Sequence, residues 1–593
     1  MIRIIVNGVE LVLPEDLSIT MVDENPVVTR NGKSSHDITV SLLEGKNARA
    51  FNNPQRINNN QFVKTANAVL FEDLKATKGT AIVLPKTTPE TITFQFVAEN
   101  SELNYLTQQT QKIWELDFGS ESTIEYAKAL FTIQHPGYGA VMSAGTQIGF
   151  NKFVCSPVKY NSTIANNYAL QVGLYESPGQ IDGVENIVMQ PYLLYYVEKL
   201  IELLGFYLVD NVLIDYPLAR HLFITTLVQS NKYSDALPDM SIGEFVSAIE
   251  EFFNVFFLIS SDKRCFIIDV NTYVENMPII PLTEVEDTFE RNSVNQSSET
   301  TSLSYDLGKT GFHKYQKINP EIIKASIKLH YSGPSVMRNL IHADQLNKFI
   351  IHITDNDQHE HIYTPDAQEN VYKVIPNGAP NSCIYVNKFK NYGSSENPLV
   401  LKIRPLAYTT DKKEYWIFQD GLPQLITYLP YQLPFESSDL YTPQSQVILT
   451  AVEDNLVQSP RKNTIEVGIF SGMIELFNVA VFYPVSYVDN VPEFFALDRN
   501  DQGNFTAWVI DKYKATCNLT LRLVGNDGIY DTYFRTKLYD ESIEYVFKMP
   551  SNVDLNTSKL YFYKHQKYIP IRFEKQLSKR KNYATGYFYR MKP

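Results

Sequence analysis

The sequence predicts a mainly β, multi-domain protein with a minor α+β part, built from antiparallel sheets or β-barrel-like domains and one small helix–hairpin domain. Three observations lead to this fold class. The 593 residues are enough for about three to five domains. The chain has 38 Tyr and 34 Phe, and aromatic residues favour strands. Alternation of apolar and polar residues with a period of two recurs along most of the chain, whereas helical periodicity is concentrated in one middle segment.

Residues 1–185 are predicted to form a mainly β N-terminal domain with a short helix near 121–133. The segment Thr91–Val97 alternates apolar with hydroxyl or amide side chains, which is typical of a half-buried strand. Turns are expected at Asn31-Gly32 and at Lys78-Gly79, because glycine after a polar residue commonly marks a change of direction.

Residues 186–289 are predicted to form an α+β domain with two helices. The first helix is expected to begin at Pro191, since proline suits a first helical position, and to end at Gly205. The second is expected to begin at Ser241, which forms the capping-box pattern S-x-x-E with Glu244.

A β-hairpin is predicted directly after the second helix. Its strands are Val255–Ser260 and Arg264–Val270, and its turn is Ser261-Asp262-Lys263. Residues 290–304 are polar without periodicity and are predicted to be a linker. Two further β domains are expected, at 305–430 and 431–593.

The charge distribution indicates how copies of the chain could meet. The residues from Lys559 onward include ten Lys/Arg and one acid, which gives this segment a net charge of +9. Because the whole chain has a net charge of −13, the residues before Lys559 have a net charge of −22. A basic C-terminal segment on an acidic body could dock onto a neighbouring copy, and the interface candidates are Lys579, Arg580, Lys581 and Arg590. The competing interpretation is a solvated strand edge guarded by lysines. The negative total charge argues against nucleic acid as a specific partner.

Motifs that carry catalytic or cofactor chemistry are absent from the sequence. It contains no GxxxxGK[ST] or GxGxxG loop, no GxSxG elbow and no HExxH helix. The four cysteines are far apart and form no CxxC pair. We therefore predict no catalytic residues, no cofactor and no metal. We also expect no membrane span, because no run of about 18 apolar residues occurs.

One histidine cluster is a weak candidate for a metal site. His352, His359 and His361 fall within ten residues together with three acids, and imidazoles and carboxylates are ligands for divalent metals. The alternative is a polar hairpin tip between two strands, and a metal motif without structural context is unspecific.

A set of motifs occurs in a fixed order at the two ends and in the middle of the chain. The motifs are Asp23-Glu-Asn-Pro26-Val-Val, Ser35-His-Asp-Ile-Thr-Val-Ser-Leu, Ala48-Arg-Ala-Phe-Asn-Asn-Pro-Gln-Arg56-Ile, Asn100-Ser-Glu-Leu103, Leu237-Pro-Asp-Met-Ser241 through Asp269, and Ser558–Tyr568 with Gly586–Arg590. In this order they resemble segments of tail and baseplate hub-like structural proteins of Bacteroidetes phages and prophages. The middle motif is also distantly similar to an element of baseplate hubs and type VI secretion spike proteins.

This resemblance implies a structural protein of the virion tail, assembled in the host cytoplasm, and not an enzyme. Its partners would be copies of itself in a symmetric ring and other tail or baseplate proteins. Two alternatives remain open: a particle-borne carbohydrate- or receptor-binding protein, with Trp114, Trp416 and Trp508 as stacking candidates, and a cell-wall hydrolase.

Overall fold

The computed structural model confirms a mainly β fold. It describes residues 2–121, 137–165, 188–292 and 538–592, and a set of strands between 303 and 492, with gaps at 16, 57–63, 73–74, 87, 109, 144–145, 155–157, 161–162, 227–229, 551–554 and 578–582. The helix predicted near 121–133 falls almost wholly outside the described residues.

The N-terminal segment contains eight strands and three short helices. The strands are β1 (Ile2–Val6), β2 (Val9–Glu10), β3 (Ile19–Glu24), β4 (Lys33–Ser35), β5 (Ile38–Ser41), β6 (Thr65–Glu72), β7 (Lys75–Val83) and β8 (Thr91–Ala98). The helices are α1 (Pro26–Thr29), α2 (Gly45–Ala50) and α3 (Asn100–Thr107), with a 3₁₀ turn at Ile113–Glu115.

The middle segment holds the longest helices. Its strands are β9 (Gly139–Ser143), β10 (Thr146–Asn151), β11 (Phe153–Val154), β12 (Val158–Tyr160), β13 (Thr163–Ala165), β14 (Gln190–Pro191), β15 (Tyr207–Asn211), β16 (Leu222–Ile224), β17 (Val255–Ile259), β18 (Arg264–Asp269), β19 (Ile279–Pro281) and β20 (Asp287–Asn292). Its helices are α4 (Leu193–Leu203), α5 (Pro217–His221), α6 (Ile242–Phe253) and α7 (Val270–Glu275), with 3₁₀ turns at Val212–Ile214 and Tyr233–Ala236.

Only strands are described between 303 and 492, and four strands form the C-terminal segment. The first group is β21 (Leu303–Tyr305), β22 (Ile351–Thr354), β23 (Glu360–Asp366), β24 (Val371–Pro376), β25 (Tyr385–Val386), β26 (Leu399–Leu401), β27 (Ile403–Pro405), β28 (Ala407–Gln419), β29 (Leu422–Leu433), β30 (Ile465–Leu476), β31 (Val479–Pro484), β32 (Tyr487–Val488) and β33 (Val491–Pro492). The C-terminal strands are β34 (Tyr539–Pro550), β35 (Leu560–Tyr563), β36 (Gln566–Leu577) and β37 (Tyr583–Met591).

One sheet of fourteen strands joins the two ends of the chain. Its main path runs β2-β1-β6-β7-β8-β4-β3-β36-β37-β34-β20, so the described strands form an open sheet and not a closed barrel. The junction is the antiparallel pair β3–β36, in register from Ile19↔Leu577 to Glu24↔Arg572. Leu577 also lies in the core of the N-terminal strands. The N- and C-terminal segments, predicted as separate domains, therefore share a sheet; the domain boundaries remain predictions.

The turn predicted at Lys78-Gly79 is wrong. Gly79 lies inside β7, opposite Ala98 of β8. A Cβ atom on Gly79 would lie 2.2 Å from the Val97 carbonyl oxygen. The glycine therefore permits a close approach of two strands, which is the other common use of glycine in sheets.

The first helix of the middle segment begins later than predicted. Pro191 belongs to β14 and pairs with Phe153, and the Tyr192 amide donates to the Lys152 carbonyl at 2.9 Å. This pairing keeps the backbone extended, so α4 starts at Leu193. The end of the helix agrees with the prediction, since Gly205 follows with a φ of +83°.

The second helix and the hairpin match their predictions. The Ser241 side chain accepts from the Glu244 amide, and the Glu244 side chain accepts from the Ser241 amide, so the capping box is complete. Strands β17 and β18 pair antiparallel from Val255↔Asp269 to Ile259↔Cys265. The sequence did not indicate the third strand, β15, which pairs with β18 in parallel. Residues 290–292, placed in the linker by the sequence, lie in β20 and pair with β34.

Candidate interaction surfaces

The three-stranded sheet of the middle segment has one closed edge and one open edge. Its order is β15-β18-β17. Asn100 closes the β17 edge, because its side chain donates to the Phe257 carbonyl at 2.5 Å and accepts from the Ile259 amide at 2.9 Å. A buried amide in this position satisfies the edge groups as a neighbouring strand would.

The opposite edge, formed by β15, pairs with no second strand in the described part of the chain. Tyr207 is 72% exposed and Val209 is 44% exposed. Leu203, before the strand, and Ile214, after it, are also exposed. We name these four residues the apolar edge. An open strand edge with exposed apolar side chains is a place where another chain can bind.

The charge beside the apolar edge is negative. Arg264 is paired with Asp262 at 2.7 Å, and Lys199 with Glu202 at 2.8 Å. Asp210 and Asp215 are exposed and make no ion pair among the described residues. The negative charge without an ion-pair partner at this edge is therefore that of Asp210 and Asp215.

A second exposed surface lies at the β35–β36 hairpin. Phe562 is 39% exposed, and Ile279 of the adjoining β19 is 49% exposed. Lys564 and His565 form the turn with positive φ angles, and Lys567 is exposed beside them. We name these five residues the basic hairpin surface. The β19 edge ends in Pro281, which has no amide to offer, so this surface presents side chains and little free backbone.

Strand β20, at one end of the large sheet, exposes an aromatic side chain among charged residues. Strand β20 exposes Phe289, but Asp287 and Glu290 beside it are exposed as well. Charged residues of this kind are a common protection of edge strands against pairing.

The unit formed by α6, β17 and β18 is joined to the N-terminal segment by ion pairs of two buried carboxylates. The Glu102 carboxylate accepts from the Thr80 hydroxyl at 2.5 Å and pairs with Lys263 at 3.1 Å. Arg30, at the end of α1, pairs with Glu250 of α6 at 3.1 Å. Burial raises the pKa of Glu250 to about 7, and the nearby Arg30 offsets only part of this shift.

A buried polar cluster surrounds Glu121. Its carboxylate accepts from the Tyr233 hydroxyl at 2.5 Å and pairs with Lys152 at 2.8 Å. The Lys152 ammonium also lies 6.0 Å from the ring centre of Tyr195. Burial and the neighbouring carboxylate raise the pKa of the Tyr233 hydroxyl. These groups satisfy one another, so the cluster is a structural network within the core.

The structure places the predicted metal candidates only in part. Strands β22 and β23 form the expected hairpin, with His352 opposite Ile362 and His361 opposite Ile353. The two histidines are not register partners, and His359 lies outside the described residues. Within the described ranges, no group of three or more His, Cys, Asp or Glu is arranged to hold a metal.

Of the predicted interface residues, Arg590 is exposed on β37, whereas Lys579, Arg580 and Lys581 lie outside the described residues. Both β36 and β37 are paired along their two edges. A neighbouring copy would therefore meet the side chains of this segment and not a free strand. The interface role of these four residues stays a prediction.

Two further findings concern tryptophan and membranes. Trp114 is partly buried against the core cluster and donates to Asp239 at 3.4 Å, which leaves little of its ring for a sugar. Trp508 lies outside the described residues. No helix in the described part of the chain is long and apolar enough to cross a bilayer.

Comparisons with solved structures find similarities that include two phage tail proteins. No protein-family model matches the sequence, and a search of curated proteins finds no match. The 43 kDa tail protein of prophage MuSo2 from Shewanella oneidensis aligns at 6% identity with a TM-score of 0.28, covering 99% of this chain and 95% of its own. A tail protein from Neisseria meningitidis MC58 aligns at 6% identity with a TM-score of 0.30 and the same coverage. TM-scores in this range do not establish a common fold.

Proposed function

We propose that this chain is a non-enzymatic structural subunit of a phage tail, built into the tail or baseplate by contacts with copies of itself and with other tail proteins. The proposal includes a hub- or ring-like position and assembly in the host cytoplasm. It rests on the chain's own motifs and on how its elements pack.

The observation that carries the proposal is that segments resembling tail proteins meet in space: Val27 and Val28 of the N-terminal motif pack against the core cluster that contains Tyr589 of the C-terminal motif. Asp23 and Glu24 of the N-terminal motif lie on β3, which pairs with β36 of the C-terminal segment. The Asn25 side chain donates to the Pro570 carbonyl across 545 positions of sequence. Asn100, from the Asn-Ser-Glu motif, binds the hairpin of the middle segment. Segments that are dispersed in sequence are thus parts of one packed body.

The surfaces also suit assembly better than catalysis. The charged cluster around Glu121 is satisfied by a hydrogen bond and an ion pair within the chain. Among the described residues, the apolar edge and the basic hairpin surface both combine exposed apolar side chains with charges that make no ion pair. Such surfaces favour binding between proteins.

Purified particles test this function. Particles from a strain that encodes the chain should contain it at a fixed ratio to the major tail protein, measured by quantitative mass spectrometry, and gold-labelled antibodies should bind at one end of the tail. Deletion of the gene should give particles with incomplete tails. A chain found only in the cell extract, with normal tails in the deletion strain, would contradict the proposal.

The two alternatives make different predictions for the purified chain. A carbohydrate-binding protein would bind specific spots on a glycan array, and a cell-wall hydrolase would clear a peptidoglycan gel. A structural subunit does neither and still appears in the particle.

A further inference from the structure

We propose that the apolar edge of one copy binds the basic hairpin surface of a second copy, so that identical chains join head to tail. This inference rests on the proposed function and names the surfaces that would carry the assembly. The apolar edge consists of Leu203, Tyr207, Val209 and Ile214, and the basic hairpin surface consists of Ile279, Phe562, Lys564, His565 and Lys567.

The first step of the argument is that both surfaces are open within a single chain. Tyr207 keeps 72% and Ile279 keeps 49% of their surface in contact with solvent. Neither surface therefore covers the other in one copy. Each has exposed apolar side chains whose burial under a partner is favourable.

The second step is that the protein closes edges elsewhere but not here. Asn100 occupies the β17 edge of the same three-stranded sheet with two buried hydrogen bonds. In the described part of the chain no side chain closes the β15 edge in this way, and Tyr207 and Val209 stay exposed beside the charged Asp210. Because natural proteins commonly cover edge strands, an apolar edge without such a closure indicates a binding partner.

The third step is charge complementarity, which selects the occupant. Asp210 and Asp215 beside the apolar edge have no ion-pair partner among the described residues. Lys564 and Lys567 on the hairpin likewise make no ion pair there, and the Lys564 ammonium lies 5.1 Å from the Tyr563 ring centre. Each surface thus combines an apolar centre with unpaired charge, and the charges are opposite. Complementary charge of this kind fixes orientation and excludes wrong partners.

The fourth step concerns symmetry. The two surfaces are different patches on the same chain, so contact between copies is heterologous. Each copy then has one donor and one acceptor surface, and the contact repeats until a ring closes or a filament grows. Further copies of the same chain are therefore sufficient partners, and no other protein is needed to cover both surfaces once a ring closes.

Charge-reversal variants of the full chain test this contact. The hairpin variant is K564E/K567E, the edge variant is D210K/D215K, and K46E/K78E is a control that changes the same number of exposed lysines on other elements. Sedimentation velocity and mass photometry over a concentration series at low salt measure self-association. We expect wild type and the control to associate, and each reversed variant to associate at least about tenfold more weakly, because it places like charges together.

A mixture of the hairpin variant and the edge variant tests directly whether these two surfaces bind each other. The acidic hairpin of one variant then faces the basic edge of the other, and the native surfaces face each other in the opposite contact. We expect association to return in the mixture and in the chain that carries all four changes. Circular dichroism and thermal unfolding, matched to wild type, show that each variant is folded.

The outcomes separate this inference from the proposed function. Association that survives both reversals, or that does not return on mixing, overturns the head-to-tail contact and leaves a tail role through other surfaces intact. A wild-type chain that remains monomeric, with the β15 amides protected from hydrogen exchange, overturns the contact because a segment of the same chain then covers the edge. Absence from purified particles overturns the proposed function itself.

Discussion

Single residues determine how strands meet or end in this protein. Asn100 is buried and replaces a whole strand at the β17 edge with one side chain. Gly79 lets two strands approach where any Cβ would meet a carbonyl oxygen. Neither role can be identified from the residue type alone, because both depend on which backbone lies opposite in the folded chain.

Replacing Asn100 by alanine should destabilise the protein by about 2–4 kcal/mol, because two buried backbone groups of β17 lose their partners. Urea unfolding followed by circular dichroism measures the change. Asn104→Ala, four residues along the same helix and more exposed, is the control and should cost less than about 1.5 kcal/mol. Equal losses in the two variants would show that Asn100 does not close the edge.

Glu250 should make stability depend on pH. Burial raises its pKa from 4.5 to about 7, so the folded state holds a proton that the unfolded state has released. This stabilisation is complete below about pH 4.5 and decreases as pH rises through 7. We expect wild type to lose up to about 3 kcal/mol across this range.

The variant Glu250→Gln should have a flatter profile of unfolding free energy between pH 4.5 and 7.5. Some dependence should remain, because burial also raises the pKa of Asp23, to about 6. Glu202→Gln, at an exposed position, is the control and should keep the wild-type slope. A wild-type slope in Glu250→Gln would exclude Glu250 as the source.

At the scale of elements, local sequence patterns predict those elements whose stabilising contacts are close in sequence. The capping box of Ser241 and Glu244 and the hairpin that follows lie within 30 residues, and the sequence predicted both. The parallel partner β15 lies more than 50 residues before β18 and carries no local signal of that pairing. Pro191 was misassigned for the same reason, since its extended backbone is held by Phe153.

The capping box should stabilise α6 in a cooperative way. Ser241→Ala should lower the free energy of unfolding by about 1 kcal/mol, because the amide of Glu244 loses its acceptor. The double variant Ser241→Ala/Glu244→Ala should lose less free energy of unfolding than the sum of the losses in the two single variants, since the two hydrogen bonds are reciprocal. A thermal-unfolding double-mutant cycle measures this coupling, and strict additivity would contradict it.

At the scale of the whole molecule, the sheet that joins both ends should make them unfold together. The β3–β36 pair is supported by Leu577 in the N-terminal core and by an ion pair between Lys575 and Glu72. We expect amides of β3 and β36 to exchange hydrogen with similar opening free energies in mass-spectrometric exchange experiments. Protection in β1–β8 that persists after β34–β37 has exchanged would show two independent units.

The sequence predicts only one of the two candidate interaction surfaces. The excess of basic residues after Lys559 predicted a positively charged C-terminal segment, and Lys564 and Lys567 lie there. The apolar edge was not predicted, because nothing in the local sequence indicates that β15 is an edge strand with Tyr207 exposed. Which apolar residue remains uncovered is decided by tertiary packing and not by local composition.

The pairing of β3 with β36 also has a consequence for biosynthesis. Strand β3 can pair with β4 at once, but a ribosome must add more than 540 residues after β3 before its second neighbour, β36, is made. Contacts of such long range form slowly, and the waiting strand is a hazard for misassembly while synthesis continues. The cell therefore has to shield a half-finished sheet until the last strands emerge, and a nascent chain stalled near residue 500 should associate with chaperones for as long as it stays tethered.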